Sequence, residues 1–527
     1  MVRGWWSVGL AIVLLGGPWE PASLALTPAA EPAKAAKQAE PAKAGKEEDD
    51  YELQRMLVDT LDQVQRNYVR KVSRRKLVEA AIKGILSELD PYSSYISPEE
   101  MDHFRTTVES EYGGIGIRIL VEDGQLRVHS PMVGTPAYRA GIMAGDRIVE
   151  IEGKSTRGIS VDEAERRLKG KAGTSVTLSV IHAGKTAKER VTLKREVVHI
   201  DTVLGDRRNP NDQWDFMLDP QKGIGYIRVD AFSRETPHDL RRALKGLRQQ
   251  KLRGLIFDLR FNPGGLLTSA IEVSSLFISK GRIVSTAGRN VPERVWEAGK
   301  VSAFEGFPMA ILVNRYSASA SEIVSACLQD HHRAVIIGER TWGKGSVQNV
   351  IPLDDRGPGL EIVGAGGRPS PRSALKLTTA GYRRPSGKNI DRLPGAKESD
   401  AWGVMPDPGF EVKFSDDENR ALMQYRHDRL MVLAKTPPAA TGAKSTPPAK
   451  APAAGDKEKK KGDAAPGKSA GPAAPGEKGA TPPTPGKTDG KPPAQTQPAS
   501  AAPSTPFVDR QMQKAVEYLA TELARAK

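Results

Sequence analysis

The sequence contains a single cysteine, Cys327, among 527 residues. One thiol cannot form an internal disulfide framework, and it cannot supply a cysteine-based zinc site. The eight histidines show no HExxH spacing or comparable pattern of metal ligands. The sequence therefore predicts neither a structural metal nor a cofactor.

The N-terminus lacks an apolar run long enough to span a bilayer. The run from Trp5 to Leu15 has eleven residues, whereas a membrane-spanning helix needs roughly 20. It follows Arg3 and precedes small residues near Ala25, which is the pattern of a secretory signal. Residues 1–25 are therefore predicted to be a signal peptide, with an uncleaved N-terminal anchor as the alternative. Export of a chain with one thiol fits the periplasm or cell envelope.

Residues 436–506 lack every large apolar side chain: they contain no Leu, Ile, Val, Met, Phe, Tyr or Trp and hold 16 of the 39 prolines. Such a segment cannot bury a core, so it is predicted to be a disordered insert. Residues 26–50, rich in Ala, Pro, Lys and Glu, are predicted to be a linker. The net charge is +14, but no recognised nucleic-acid-binding module accompanies it, so nucleic acid is not a predicted partner.

The remaining segments have the periodicity of folded domains. Helical spacing predicts two helices between residues 51 and 89, within an N-terminal helical region spanning 51–110. Residues 111–196 contain short β-rich runs broken by glycine turns and predict a compact domain. Residues 223–350, within a predicted core domain spanning 197–435, alternate strands with helices, which indicates a largely parallel sheet. Residues 507–527 are predicted to form an amphipathic helix that folds back on the body. The predicted fold class is multidomain α/β.

One serine-rich segment, residues 314–322, leaves an apolar strand and enters a predicted helix. A serine at a strand-to-helix turn has an exposed hydroxyl, and the neighbouring backbone N–H groups point at whatever it attacks. Ser319 is therefore a candidate nucleophile. The alternative interpretation is that Ser317, Ser319 and Ser321 are only small helix-capping residues.

A second segment, residues 338–348, follows another buried strand. Because the carboxyl ends of parallel strands share one edge of a sheet, Lys344 can meet Ser319 there. Burial without a carboxylate partner lowers the pKa of a lysine, and a neutral lysine can take the serine proton. Gln348 is placed to orient the amine. The alternative interpretation of Lys344 is a surface ammonium in a flexible glycine loop.

A tight turn ending in Gly264 and Gly265 can aim backbone N–H groups at a developing oxyanion. A Ser-His-Asp alternative would recruit His331 or His332. These follow Ser319 by 12 and 13 residues, toward the far end of the same predicted helix. About 18 Å of helix separates them from the serine, so this triad is set aside.

The set Ser319, Lys344 and Gln348 resembles the catalytic residues of the C-terminal processing peptidases, also called tail-specific serine proteases. The resemblance implies a nucleophile at Ser319, a general base at Lys344 and a positioning amide at Gln348. It implies an oxyanion hole at Gly265 and Ala320, less securely at Gly264, on a crotonase-like α/β core. Similarity extends to three further motifs, at residues 89–95, 376–387 and 406–408.

The β-rich unit at residues 111–196 resembles a PDZ domain. Successive N–H groups in a glycine-rich turn make a nest for a terminal carboxylate, and the adjoining strand edge can accept a peptide. The resemblance places this peptide-binding loop at Tyr112, Gly113, Gly114, Ile115 and Gly116. The alternative is that these glycines only ease the start of a strand.

The sequence thus predicts an exported serine endopeptidase that recognises unstructured C-terminal tails of protein substrates. An adaptor protein and association with the cell envelope are left open. Two other classes of protein are alternatives. A non-catalytic PDZ scaffold would be expected to lack the serine, lysine or glutamine of the catalytic set. An acyl-CoA-handling crotonase-type enzyme would be expected to have neither a PDZ unit nor a signal peptide. A Gly/Pro-rich stretch at residues 354–372 is longer than expected of such peptidases and predicts a flap over the cleft.

Overall fold

A computed structural model describes residues 50–299, 304–353, 373–430 and 507–526. The predicted signal peptide, nearly all of the predicted linker, the predicted flap at 354–372 and the predicted insert at 436–506 lie outside the described residues. Within the described ranges, no helix combines the length and the apolar character needed to cross a membrane.

The N-terminal region is mainly helical, as the apolar spacing predicts. Its elements are α1 (Asp50–Asn67), α2 (Arg74–Ser87), β1 (Ser94–Ile96) and α3 (Pro98–Glu109). Helix α3 begins with a capping box, in which the Ser97 hydroxyl accepts from the Glu100 N–H and the Glu100 carboxylate accepts from the Ser97 N–H.

The β-rich unit forms one antiparallel sheet around its own apolar core. Its elements are β2 (Glu111–Gly114), β3 (Ile117–Glu122), β4 (Gln125–Pro131), α4 (Pro136–Arg139), β5 (Arg147–Ile151), β6 (Lys154–Ser155), α5 (Val161–Leu168), β7 (Ser175–Ile181), β8 (Glu189–Lys194) and β9 (Glu196–His199). The strand order β3-β4-β5-β7-β8 leaves β3 at an edge. Strands β2 and β9 pair where the chain enters and leaves the unit, which holds it as an insertion.

The core begins with strands β10 (Val203–Leu204), β11 (Arg207–Arg208), β12 (Trp214–Asp215), β13 (Met217–Asp219) and β14 (Ile224–Val229), followed by α6 (Thr236–Gln249), β15 (Gly254–Asp258), α7 (Leu267–Ser275), β16 (Arg282–Gly288), β17 (Val291–Glu297), β18 (Met309–Val313), α8 (Ala320–Asp330) and β19 (Val335–Gly338). Strands β14, β15, β18 and β19 are parallel neighbours, as the alternation of strands and helices predicts. Their carboxyl ends therefore meet at one edge.

The two faces of the parallel sheet bury different residues, because side chains alternate along a strand. Ile227, Phe257 and Ile311 pack in the larger cluster with residues of α6, α7 and α8. Ile256 and Leu312 pack in a second cluster under the last helix, α10 (Arg510–Arg525), which contributes Ala515, Leu519 and Leu523. The last helix thus completes the core.

A second, antiparallel sheet lies beside the core and has no counterpart among the elements predicted from sequence. It is built from β20 (Ser346–Pro352), β21 (Ala374–Arg383), β16, β17 and β1, and α9 (Asp416–Leu430) follows later in the chain. Strand β1 pairs with β21 through Ser94 opposite Lys376 and Ile96 opposite Ala374. This pairing brings the N-terminal region to the loop that carries Lys344.

Candidate active site

Ser319 lies at the turn between β18 and α8 with a backbone conformation that is uncommon outside glycine. Its φ is 57° and its ψ is −114°. A non-glycine residue held at positive φ is strained by roughly 1–3 kcal/mol and persists only where the surroundings enforce it. The strain marks this turn as a place where the backbone is bent to aim a side chain.

The three serines of this segment differ in their hydrogen bonds. The Ser317 hydroxyl donates to the Leu259 carbonyl at 2.8 Å, and the Ser321 hydroxyl donates to the Asn262 carbonyl at 2.9 Å. The buried Ser319 Oγ has no hydrogen-bond partner among the described residues. Ser317 and Ser321 are therefore structural, whereas the Ser319 hydroxyl is left for other chemistry.

The glycine turn after β15 lies against Ser319. A Cβ built at Gly264 would lie 2.8 Å from both Ser319 Cβ and Ala320 N, and one built at Gly265 would lie 2.1 Å from the Phe232 carbonyl oxygen. Only glycine permits these approaches. The Gly264 N–H donates to Asn262 Oδ1 at 2.8 Å, so it is already occupied. Among the described residues, the N–H groups of Gly265 and Ala320 donate no hydrogen bond.

A buried carboxylate, Glu322, ties the Ser319 turn to the Lys344 loop. Its Oε2 accepts from the N–H of Ser319 at 2.7 Å and from the N–H of Lys344 at 2.9 Å. Its Oε1 accepts from the Thr341 hydroxyl at 2.6 Å and from the Gly343 N–H at 2.7 Å. Burial raises the pKa of Glu322 to about 7, against the opposing effect of these hydrogen bonds. One oxygen therefore makes the backbones of Ser319 and Lys344 neighbours.

Lys344 is buried and lies over an aromatic ring. The residue is 3% exposed, and its Nζ is 4.7 Å from the centre of the Tyr92 ring. The glycines beside it allow this packing: a Cβ at Gly343 would lie 2.8 Å from the Trp402 ring, and one at Gly345 would lie 2.5 Å from Asp391 N. Lys344 is therefore not a surface ammonium in a flexible loop.

Burial lowers the pKa of Lys344 to about 7. This value already includes two smaller effects: the charge of a second buried lysine, Lys376, lowers the pKa, and the carboxylates of Glu322, Asp90 and Asp391 raise it. Burial also lowers the pKa of Lys376, to about 8, and its Nζ has no hydrogen-bond partner among the described residues. A substantial fraction of Lys344 is therefore neutral at neutral pH, which a general base requires.

Gln348 lies on β20 with only one end of its amide engaged. Its Nε2 donates to Ser346 Oγ at 2.9 Å and to Thr378 Oγ1 at 3.0 Å. Its Oε1 is buried and has no partner among the described residues. The amide oxygen is thus available to another donor.

The histidine alternative has no support in the structure. The His331 ring, at the far end of α8, pairs through Nε2 with the Arg282 carbonyl at 2.7 Å. It serves to join α8 to β16.

The β-rich unit at residues 111–196 carries a groove of about 320 Å³ between the edge strand β3 and helix α5. Tyr112, Ile115 and Gly116 line it, as the resemblance implies, whereas Gly113 and Gly114 lie in β2 and are not among its lining residues. The other lining residues are mainly apolar side chains with three charged ones: Thr106, Ile117, Arg118, Ile119, Met132, Glu165, Leu168, Lys169 and Ile200. An apolar groove beside an unpaired strand edge suits an added peptide strand.

Sequence reasoning missed several residues of this site: Glu322, Lys376, Thr378, Asp90 and Tyr92. A local signal existed for Glu322, because serine followed three residues later by glutamate is the spacing of a capping box. The others fall in the motifs at residues 89–95 and 376–387, but those motifs alone assigned them no role, because they reach the site only through the pairing of β1 with β21.

The sequence is similar to known peptidases along most of its length. Three protein-family models match it: Peptidase family S41 over residues 223–407, PDZ domain over 127–181 and Activating protease CtpB N-terminal domain over 16–100. A carboxy-terminal-processing protease from Bartonella bacilliformis is 37% identical over 369 residues, which cover 69% of this chain and 78% of that one. Carboxy-terminal processing protease CtpB from Bacillus subtilis is 32% identical over 350 residues, covering 65% and 68%.

Among solved structures, the photosystem II D1 C-terminal processing protease is 27% identical, covers 68% of this chain and 93% of that one, and has a TM-score of 0.36. The S41 core with its PDZ unit defines a multidomain α/β serine-type peptidase. The chain belongs to the carboxy-terminal processing protease family.

Proposed function

We propose that this peptidase holds unstructured C-terminal tails of protein substrates in its PDZ groove and cleaves them through a Ser319 acyl-enzyme with Lys344 as the base. One observation carries the proposal. The backbone N–H groups of Ser319 and Lys344 donate to the same Glu322 oxygen, so the buried Ser319 hydroxyl, which has no hydrogen-bond partner among the described residues, lies near a buried lysine.

In the proposed mechanism, the Lys344 amine acts first as a general base and then as a general acid. The neutral amine takes the Ser319 proton as Oγ attacks the peptide carbonyl, and the N–H groups of Gly265 and Ala320 stabilise the resulting oxyanion. The intermediate collapses when Lys344 returns the proton to the leaving amine. Water, deprotonated by the same amine, then releases the acyl group and restores Ser319. Each proton removed by Lys344 is returned within the cycle.

The pH dependence tests the role of Lys344. Because only the neutral amine accepts the serine proton, kcat/KM is expected to rise with pH through about 7, the pKa of Lys344, and then to level off. Replacing Lys376 with methionine removes a neighbouring positive charge, which should raise the pKa of Lys344. The acidic limb should therefore move to higher pH by about one unit.

The control for this profile is Lys245→Met, which removes an exposed lysine on α6. It should leave the acidic limb in place. An acidic limb that Lys376→Met does not move, or moves to lower pH, would contradict a base at Lys344 tuned by its neighbour.

Amidating the C-terminus of a peptide substrate tests the PDZ groove. Loss of the terminal charge is expected to lower kcat/KM about tenfold or more, because hydrogen bonds to a charged group contribute about 1.5–3 kcal/mol. The measurement compares free and amidated forms of one peptide, with amidation of an internal glutamate side chain as the matched control. Equal rates for free and amidated termini would show that the nest does not recognise the carboxylate.

We further propose that the protein is exported through the signal at residues 1–25, on the basis of its short apolar run and small flanking residues. Fractionation of cells producing the full chain, followed by N-terminal sequencing, tests this. The expected product lies outside the cytoplasm and begins after Ala25, or retains Met1 if the segment stays as an anchor. A full-length product in the cytoplasm would refute it.

A further inference from the structure

The Gln348 amide is held by a hydrogen-bond chain that begins in the N-terminal region. The Ser93 hydroxyl donates to Asp90 Oδ2 at 2.7 Å, and Ser93 Oγ accepts from the Thr378 N–H at 3.1 Å. Gln348 Nε2 donates to Thr378 Oγ1 at 3.0 Å. Asp90, Ser93, Thr378 and Gln348 are thus consecutive members of one network that crosses from the turn before β1 to β20.

The charge state of Asp90 limits which groups in this hydrogen-bond network can donate and which can accept. Burial raises the pKa of Asp90, but hydrogen bonds from the Ser93 hydroxyl, the Tyr92 and Ser93 N–H groups and the Thr378 hydroxyl together bring it below its ordinary value. Asp90 is therefore ionised at neutral pH and can only accept hydrogen bonds. A hydrogen bond from the Thr378 hydroxyl contributes to the lowered pKa of Asp90, and Ser93 Oγ lies 3.4 Å from Thr378 Oγ1. In both contacts the Thr378 oxygen keeps a lone pair that can accept from Gln348 Nε2.

This direction decides which way the Gln348 amide faces. An accepting Thr378 oxygen requires the NH₂ end of the amide, which leaves Oε1 pointing elsewhere, buried and without a partner in the described part of the chain. A rotated amide would place Oε1 against the accepting Thr378 oxygen. It would also aim N–H groups where Oε1 now lies, and a donor there cannot receive a hydrogen bond from an amine.

We propose that Asp90 and Thr378 are positioning residues that hold the Gln348 amide with Oε1 directed to receive a hydrogen bond from the Lys344 amine. This inference rests on the proposed Ser319–Lys344 mechanism. It makes the turn at residues 90–93 part of the catalytic unit, although the turn precedes Lys344 by about 250 residues. The contact of the Tyr92 ring with Lys344 Nζ, at 4.7 Å, places the same turn beside the amine.

Thr378→Val tests the inference, because valine keeps the shape of threonine but cannot accept from Nε2. We expect kcat to fall roughly tenfold to a hundredfold with KM nearly unchanged, since small misplacements of a reacting group have effects of that size. Thr378→Ser keeps the hydroxyl and should restore most of kcat. The matched control is Thr379→Val, because the neighbouring Thr379 hydroxyl has no hydrogen-bond partner among the described residues.

The pH profile separates positioning from loss of fold. A hydrogen bond accepted by Oε1 favours the charged form of Lys344, so its loss should lower the pKa of that lysine. The acidic limb of Thr378→Val should therefore move to lower pH while the plateau falls. Asp90→Asn should move the limb the same way even without a positioning role, because the Asp90 charge itself raises the pKa of Lys344, so Thr378→Val carries the test. A lowered plateau with an unmoved limb, in a variant with an unchanged Tm, would overturn the inference.

A double-mutant cycle with Gln348→Ala supplies the second criterion. If Thr378 acts through Gln348, adding Thr378→Val to Gln348→Ala should reduce kcat no further. Independent, multiplicative losses would overturn the inference while leaving the proposed mechanism intact. Undiminished activity of Ser319→Ala would instead remove the mechanism itself, so the two failures are distinguishable.

Discussion

Peptide hydrolysis is expected to fall by about 10⁴-fold or more when Ser319 is replaced by alanine, because removal of a nucleophile abolishes the covalent route. The measurement is kcat on an unfolded protein with a free C-terminus. The fold should be unaffected, since Ser319 Oγ makes no hydrogen bond among the described residues and alanine bears the same backbone strain as serine at this φ. The Tm should therefore match that of the original protein.

Ser321→Ala is the matched control, because it removes a hydroxyl two residues away that donates to the Asn262 carbonyl. It should lose about 0.5–1.5 kcal/mol of stability, the net contribution of one hydrogen bond, because the Asn262 carbonyl still accepts from the Ala318 N–H, and it should keep much of its activity. The reverse pattern, with Ser319→Ala active and Ser321→Ala inactive, would place the nucleophile elsewhere.

Lys344→Ala should be as inactive as Ser319→Ala, because the serine proton then has no acceptor. Catalytic residues that act as a unit give non-additive losses. The double variant should therefore be no less active than either single variant. A double variant far below both would show that the two residues act independently.

Glu322→Ala is expected to impair both stability and activity. It removes the acceptor of four hydrogen bonds at once, and each buried donor left unpaired costs about 1–3 kcal/mol. The N–H groups of Ser319 and Lys344 lose their common anchor, so kcat should fall by roughly a hundredfold or more. Chemical denaturation and kinetics on the same preparation measure the two effects.

Glu322→Gln should recover part of both losses. Its amide oxygen can still accept from Ser319 and Lys344, while its NH₂ group faces Thr341, whose hydroxyl oxygen can accept. The clash that remains is with the Gly343 N–H, which donates to Oε1 in the structure. If Glu322→Ala kept the original Tm and kcat, the proposed anchoring of the two backbones would be wrong.

Local sequence patterns predicted the elements that need only nearby residues. The parallel strands, the two helices between residues 51 and 89 and the helix entered after Ser319 all lie where the sequence pattern places them, because each repeat is set within its own segment. The antiparallel sheet escaped prediction, since β1 and β21 are about 280 residues apart and neither records its partner.

The sequence alone determined which side chains can do the chemistry: a serine at a strand-to-helix turn, a lysine between glycines and a glutamine four residues later. Only the tertiary structure decided the protonation of the lysine and the orientation of the glutamine amide. The pKa of Lys344 depends on burial beneath Tyr92 and on the charge of Lys376, and the orientation of Gln348 depends on Thr378 and Asp90. Desolvation and hydrogen-bond direction arise from residues distant in the chain, so no local pattern of the sequence can specify them.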